Sequence, residues 1–349
     1  MSNLILLYLP DAARRLLIPG LLAVFSGAML IAAACGGDGD GDGNLVVYSG
    51  REEELIGPLI SQFEDETGID VAVRYGSNAG LVATIFEEGG NSPADVYFGS
   101  DPGALGALIG RLTVLPDDIL SRVDAPFRSQ VGRWVGISGR ARVIVYNTGA
   151  LTEADLPSSI YDFTDPIWRG RIGWAPTNGS FQSMITAMRL IDGEEATRAW
   201  LEGIKANDPI EYPKNTPIVQ AAAAGEIDVG FVNHYYLFRF LAEEGESFSA
   251  RNYYLEGGDS GAVVLVAGAG ILDSADHPAA AERFLDFLLS HDAQQYFATE
   301  TFEYPLVAGV ETNPILRPLA EVDVPDIDLS GLADLEGTLD LLRDTGVIP

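Results

Sequence analysis

The chain has 349 residues, 47% of them hydrophobic, which is enough for a globular body of two domains. Its formal net charge of −30 excludes the basic face that nucleic-acid binding requires. A single cysteine, Cys35, and three histidines leave the folded part without disulfides, zinc–thiolate sites or thiol catalysis, and no Ser-His-Asp order is recognisable.

Residues 1–34 read as a signal peptide. Arg14 and Arg15 precede an apolar run, Leu16 to Ala34, that ends in small residues. Ala32-Ala33-Ala34-Cys35 resembles a bacterial lipobox, which implies cleavage before Cys35 and lipidation of its thiol. That leader carries Asp11, Arg14 and Arg15, a net +1, so the remainder carries about −31. Residues 35–44 follow as the lipidated cysteine and a flexible Asp-Gly tether.

Leu45 to Gly50 is a short strand, and Glu52 to Thr67 a helix with Leu55, Ile56, Leu59, Ile60 and Phe63 on one face. Asp70 to Tyr75, Ala79 to Glu88 and the strand within Ser92 to Asp101 complete a βαβαβ pattern, the signature of a doubly wound parallel sheet. Ile137 to Arg142 and Val143 to Asn147 are expected to make the first passage between two lobes. Ile172 to Trp174 opens a second α/β unit, and the polar turn Ala175 to Phe181 feeds a helix N-terminus suited to an anion. Val219 to Gly225 is a helix. Gly230-Phe231-Val232-Asn233 is a buried strand whose carboxyl end presents His234, Tyr235 and Tyr236. Gly261 to Ala267 is the expected return strand. Pro278 to Leu289, Ala293 to Ala298 and Leu329 to Leu342 read as helices.

Two adjacent phenols at a strand end suit a hard, strongly polarising cation such as ferric iron, although they also suit half-buried structural aromatics. Tyr253-Tyr254 reads as a structural pair, and His234 as structural because it points away from its neighbours in extended chain. No Gly-x-Ser-x-Gly elbow or P-loop is present, so an enzyme is not expected.

The ordered set Val47 to Arg51, Ser92 to Val96, Ser138 to Asn147, Ala175 to Phe181, Asn233 to Tyr236 and Glu303 to Pro305 resembles the ferric-iron-binding periplasmic proteins of ABC transporters, the bacterial transferrin type. The resemblance implies an α/β, two-lobed type II solute-binding fold, each lobe a doubly wound sheet, with hinge strands crossing between them. The expected lobes are residues 45–140 plus 264–320 and residues 141–263, with 321–349 a helical segment packed on both. It implies iron ligands at Tyr146, Tyr235 and Tyr236. Glu52 stands where some members have a histidine. It also implies a small synergistic anion, carbonate or phosphate, on Ser138, Gly139, Arg140, Asn178 and Asn233. Asp101 is offset by one residue from a carboxylate that some members use. The implied partners are ferric iron and a membrane permease with its ATPase, and the implied state is an extracytoplasmic monomer anchored at Cys35. The alternative is a binder of the same fold for an organic anion, phosphonate, polyamine or thiamine.

Overall fold

The computed structural model describes residues 44–349, so the leader, Cys35 and nearly all of the tether lie outside the described residues. β1 (Leu45–Ser49) leads through Gly50-Arg51-Glu52 into α1 (Glu53–Thr67), which buries the five predicted apolar residues and stops at Gly68 in the left-handed region. β2 (Val71–Tyr75), α2 (Asn78–Glu88), β3 (Val96–Gly99), α3 (Pro102–Ala107) and α4 (Asp117–Leu120) come next. β1 lies between β2 and β3 and is parallel to both, as the βαβαβ pattern predicts.

β4 (Val135–Asn147) is one uninterrupted strand of 13 residues, buried throughout. Up to Ala141 it pairs antiparallel with β9 (Val264–Ile271), and Gly139 and Ser138 also pair with β10 (Tyr304–Pro305). From Arg142 onward its partners are β7 (Val229–Asn233) and β8 (Ala250–Tyr253). The partner exchange falls between Ala141 and Arg142, one residue from the expected lobe boundary. The second half-sheet is completed by β5 (Ile172–Trp174) and β6 (Ile210–Glu211), with β5 parallel to both β6 and β7. Its helices are α5 (Gly179–Ile191), α6 (Glu194–Ala206), α7 (Asn215–Ala224) and α8 (Tyr235–Glu244). α9 (Pro278–Leu288) and α10 (His291–Thr299) return to the first half-sheet, where Phe284 and Phe287 meet Phe63 of α1 edge-on.

The predicted C-terminal helix is shorter than its apolar pattern suggests. Leu329–Ala333 is a 3-10 turn, and Asp334 starts a new helix, α11 (Leu335–Asp344), by accepting the amide of Gly337. The segment rests on α3, where Gly103 and Gly106 let Leu332 and Ala333 approach. It also touches α5, through a 2.7 Å hydroxyl pair between Thr186 and Thr338 and through Arg189 Nη2 donating to Asp334 Oδ2 at 2.9 Å. A Cβ on Gly106 would sit 2.6 Å from the Cβ of Ala333. Gly106→Val should therefore lower stability by about 1–3 kcal/mol, the usual cost of overpacking, read as a lower urea midpoint.

Candidate metal and anion site

The crevice is built where strands stop. β1 ends at Ser49, and a Cβ on Gly50 would fall 1.7 Å from the Asn78 side-chain oxygen, so any larger residue there would displace Asn78. Asn78 opens α2 and holds the turn after β3. Its Nδ2 donates to Ser100 Oγ at 2.7 Å and to Asp101 Oδ2, while its oxygen accepts from Tyr97 Oη at 3.1 Å. Asp101 caps α3 by accepting from the Ala104 amide at 3.1 Å. Burial raises its pKa, opposed by that amide and by Arg140.

The facing wall comes from the second half-sheet. Asn178 caps α5, its Oδ1 accepting from the Ser180 amide at 3.1 Å and the Ser180 hydroxyl at 2.6 Å. Asn233 ends β7 and accepts from Arg142 Nη1 at 3.1 Å, and the same nitrogen reaches Ser180 Oγ at 3.3 Å. His234 has helical backbone angles rather than extended ones, so α8 begins at Tyr235. The His234 amide donates to the Ala141 carbonyl at 3.0 Å, and Nδ1 accepts the Ala141 amide at 3.1 Å. This fully buried residue ties α8 to β4 and thereby sets the position of the two tyrosines. Burial holds its pKa down at about 3.

Tyr235 is buried and Tyr236 half-buried, their rings stacked 4.2 Å apart between centroids. Burial, and then Tyr235, push the Tyr236 phenol well above 10, opposed by Arg140. With Glu52, Arg140, Asn178 and Asn233, both tyrosines line a cavity of about 410 Å³. The structure thus gathers six of the expected site residues in one place.

Three others are not gathered. Tyr146 faces Arg251 and Val229 near the far end of β4, packed in core; four residues beyond Arg142, it is displaced by about 13 Å at the usual strand rise. Ser138 and Gly139 form no turn. They are mid-strand, between β9 and β10, and Ser138 Oγ is spent on Glu303. Cys35 lies outside the described residues. Glu52 lies at the mouth, its carboxylate 3.3 Å from Lys214 Nζ, both well exposed.

Of the arginine cluster here, the sequence offers Arg140 or Arg142 as a charge-assisted partner for the anion, but not Arg51. Arg51 is 3% exposed and pairs with fully buried Glu303 at 2.5 Å. Burial works against its charge, but Glu303 and the nearby tyrosines outweigh that and its pKa is raised. Arg142 is 1% exposed and, with no carboxylate beside it, burial lowers it to about 9. The Nε atoms of Arg51, Arg140 and Arg142, and Nη2 of Arg142, are buried without a partner. Unpaired buried donors are costly, and an anion would satisfy them.

The sequence matches the bacterial extracellular solute-binding protein family over residues 109–328. It is 32% identical to the Fe(3+)-binding periplasmic protein of Serratia marcescens, over 94% of this chain and 98% of that one. This chain belongs to the ferric-iron-binding periplasmic proteins of the extracellular solute-binding family. Iron-bound HitA from Pseudomonas aeruginosa matches with a TM-score of 0.83 and 36% identity, covering 87% of this chain and 99% of that one. A Trichodesmium protein (IdiA, FutA), solved with iron and citrate, matches at 0.77 and 29% over 87% and 99%. The two half-sheets joined through β4 are therefore the lobes of a type II solute-binding fold, as expected. Among the described residues no helix is long and apolar enough to cross a membrane.

Proposed function

We propose that this protein captures ferric iron outside the cytoplasm through the phenolate oxygens of Tyr235 and Tyr236. A small synergistic anion, carbonate or phosphate, completes the shell on Arg140, Asn178 and Asn233. The loaded form docks on an ABC permease, whose ATPase drives import. The protein is a carrier, not an enzyme, and works as a monomer anchored by a lipid on Cys35. The lobes are residues 45–140 plus 264–320 and residues 141–263, with 321–349 packed against both. Ligand closes them by its greater affinity for the closed state.

The observation that carries this reading is the stacked phenol pair at the start of α8, opposite a cluster of buried arginines, in a chain whose relatives bind ferric iron. Hard cations take oxygen ligands, and a phenolate is anionic oxygen. A second reading, an organic anion without iron, draws on the same arginines but leaves the tyrosine pair idle. Titrating the iron-free protein with ferric citrate, with and without bicarbonate, separates the two. A saturating visible charge-transfer band at one iron per chain supports iron, and no band supports the organic anion.

Glu52 is proposed as a further ligand that leaves Lys214 for the metal. Glu52→Gln should then move the band maximum; an unmoved maximum would make Glu52 an entrance residue. The Glu52–Lys214 pair itself is exposed and should contribute less than about 1 kcal/mol, so Lys214→Ala should barely change the melting temperature.

A further inference from the structure

Tyr304, in the motif Glu303-Tyr304-Pro305, has no part in the proposed function, yet it is fully buried and so is His234. Their rings lie nearly parallel, 15° apart with centroids at 4.6 Å. In a close-packed interior such a stack fixes the tilt of whichever ring is the less anchored. Tyr304 is the anchored one. Its backbone pairs with Gly139 of β4, its hydroxyl donates to the Arg317 carbonyl at 2.8 Å, and the same oxygen lies 3.4 Å from the Tyr254 hydroxyl. The Arg317 guanidinium covers the Tyr254 ring at 5.2 Å, so Tyr254 belongs to the same anchor. Two residues before Tyr304, Phe302 takes a φ of 58°, a conformation that bulky side chains keep only where their surroundings hold them. Glu303, paired with Arg51, holds it on one side, and Phe238 of α8, 6.1 Å away ring to ring, on the other.

His234 carries that tilt to the site. Its ring and its amide are both bonded to Ala141, and its carbonyl accepts from Asn252 Nδ2 at 2.8 Å. Those bonds fix where the residue sits, and Tyr304 covers the face of its ring. On another side the ring meets Tyr235 edge-on at 5.9 Å, and Tyr235 stacks on Tyr236 at 4.2 Å. Four rings therefore run in sequence from β10 to the phenols of the crevice. His234 has helical angles directly before α8, so a change in its tilt turns the first residues of that helix. Ligating groups must be held within about 0.5 Å of the productive geometry, and a small turn at His234 is felt at the phenol oxygens.

We propose that Tyr304 is a positioning residue for the iron-binding phenols: its ring sets the tilt of His234, and through His234 the direction in which Tyr235 and Tyr236 enter the crevice. This rests on the proposed capture of ferric iron by the tyrosine pair. Tyr304 does not touch the metal, and its hydroxyl serves only to anchor the ring.

The test loads the parent and its variants with ferric citrate and reads iron affinity, the phenolate band and the melting temperature. Tyr304→Phe keeps the flat ring and loses the hydroxyl; it should melt lower yet retain the parent's band maximum and affinity. Tyr304→Met fills the space without a flat face. It should weaken iron binding about 10- to 100-fold, the range for groups that orient metal ligands, and move the band maximum. His234→Asn removes the other ring of the stack and should do the same. Combining it with Tyr304→Met should cost little more, because both act through one contact. A Tyr304→Met variant that melts lower but keeps the parent's band and affinity would overturn the inference, since a purely structural role predicts that result. So would full additivity in the double variant, or a Tyr304→Phe variant as impaired as Tyr304→Met. A His234→Asn variant with the parent's band and affinity would overturn it too, and that measurement stands even where Tyr304→Met fails to fold. A parent without any band would overturn the iron reading together with this one.

Discussion

Tyr235→Phe and Tyr236→Phe should each weaken ferric iron binding by more than about a hundredfold, beyond the 10- to 100-fold typical of outer-shell partners, and the double variant should show no visible band at all. Each substitution removes one oxygen and keeps the ring, so the 4.2 Å stack and the start of α8 survive. A loss of iron with an unchanged melting temperature would assign the oxygens to the metal rather than to folding. The pH dependence has a defined sign. The Tyr236 phenol is held above its usual 10 by burial, so the iron-free site is protonated at neutral pH. Metal must displace those protons, and affinity must fall as pH falls. With two phenols deprotonated on binding, the fall approaches about 100-fold per pH unit once the chelator's own protonation is subtracted. A slope of zero would exclude phenolate ligation.

Glu303→Ala should destabilise the protein by about 3–5 kcal/mol, the usual cost of stripping one partner from a buried ion pair. Glu303 is fully buried, 252 residues from Arg51 in sequence, and joined to it at 2.5 Å; its other oxygen holds Ser138 of β4. Removing it leaves a guanidinium and a hydroxyl in the core with nothing to accept from them. The comparison that isolates the pair is the double variant Arg51→Met, Glu303→Leu. Similar volumes without charge should recover most of the loss, since replacing a buried pair by apolar groups is often neutral. Urea denaturation of the three variants checks this. A Glu303→Ala variant within about 0.5 kcal/mol of the parent would mean that water reaches Arg51 readily.

The framework was legible because strands here are short apolar runs and helices carry one buried stripe. Leu55, Ile56, Leu59, Ile60 and Phe63 fix α1 without any tertiary information. The tyrosine pair was legible for the same reason: β7 must stop at Asn233, and residues just past a strand's carboxyl end in an α/β sheet face the crevice. Arg51 was not, because an arginine in a loop looks solvated until Glu303 is brought to it. Arg142 was an alternative to Arg140 as the anion's partner, but only the partner exchange in β4 shows that it is buried beside Asn233. Tyr146 was placed at the site by resemblance, which aligns a strand without showing how far along it the crevice extends. Ser138 and Gly139 lie off the crevice lining, flanked by β9 and β10. The C-terminal helix was overdrawn because apolar periodicity continues through Asp334, whose side chain restarts the backbone.

β4 also makes one covalent strand both axle and sensor. Ala141 and Arg142 are where it leaves one half-sheet for the other. Ala141 lies between Arg140, which lines the crevice, and Arg142, which donates to Asn233 at 3.1 Å. The amide of Ala141 is held by the His234 ring and that of Arg142 by the Val263 carbonyl. Rotation of the lobes would twist these bonds together with those of the return strand at Val263 and Val264, so filling the crevice and stiffening the axle are one event. Amide exchange at Ala141 and Arg142 therefore serves as a built-in gauge of loading that needs no dye, and a graft of other ligand chemistry onto this scaffold inherits the gauge as long as β4 is left intact.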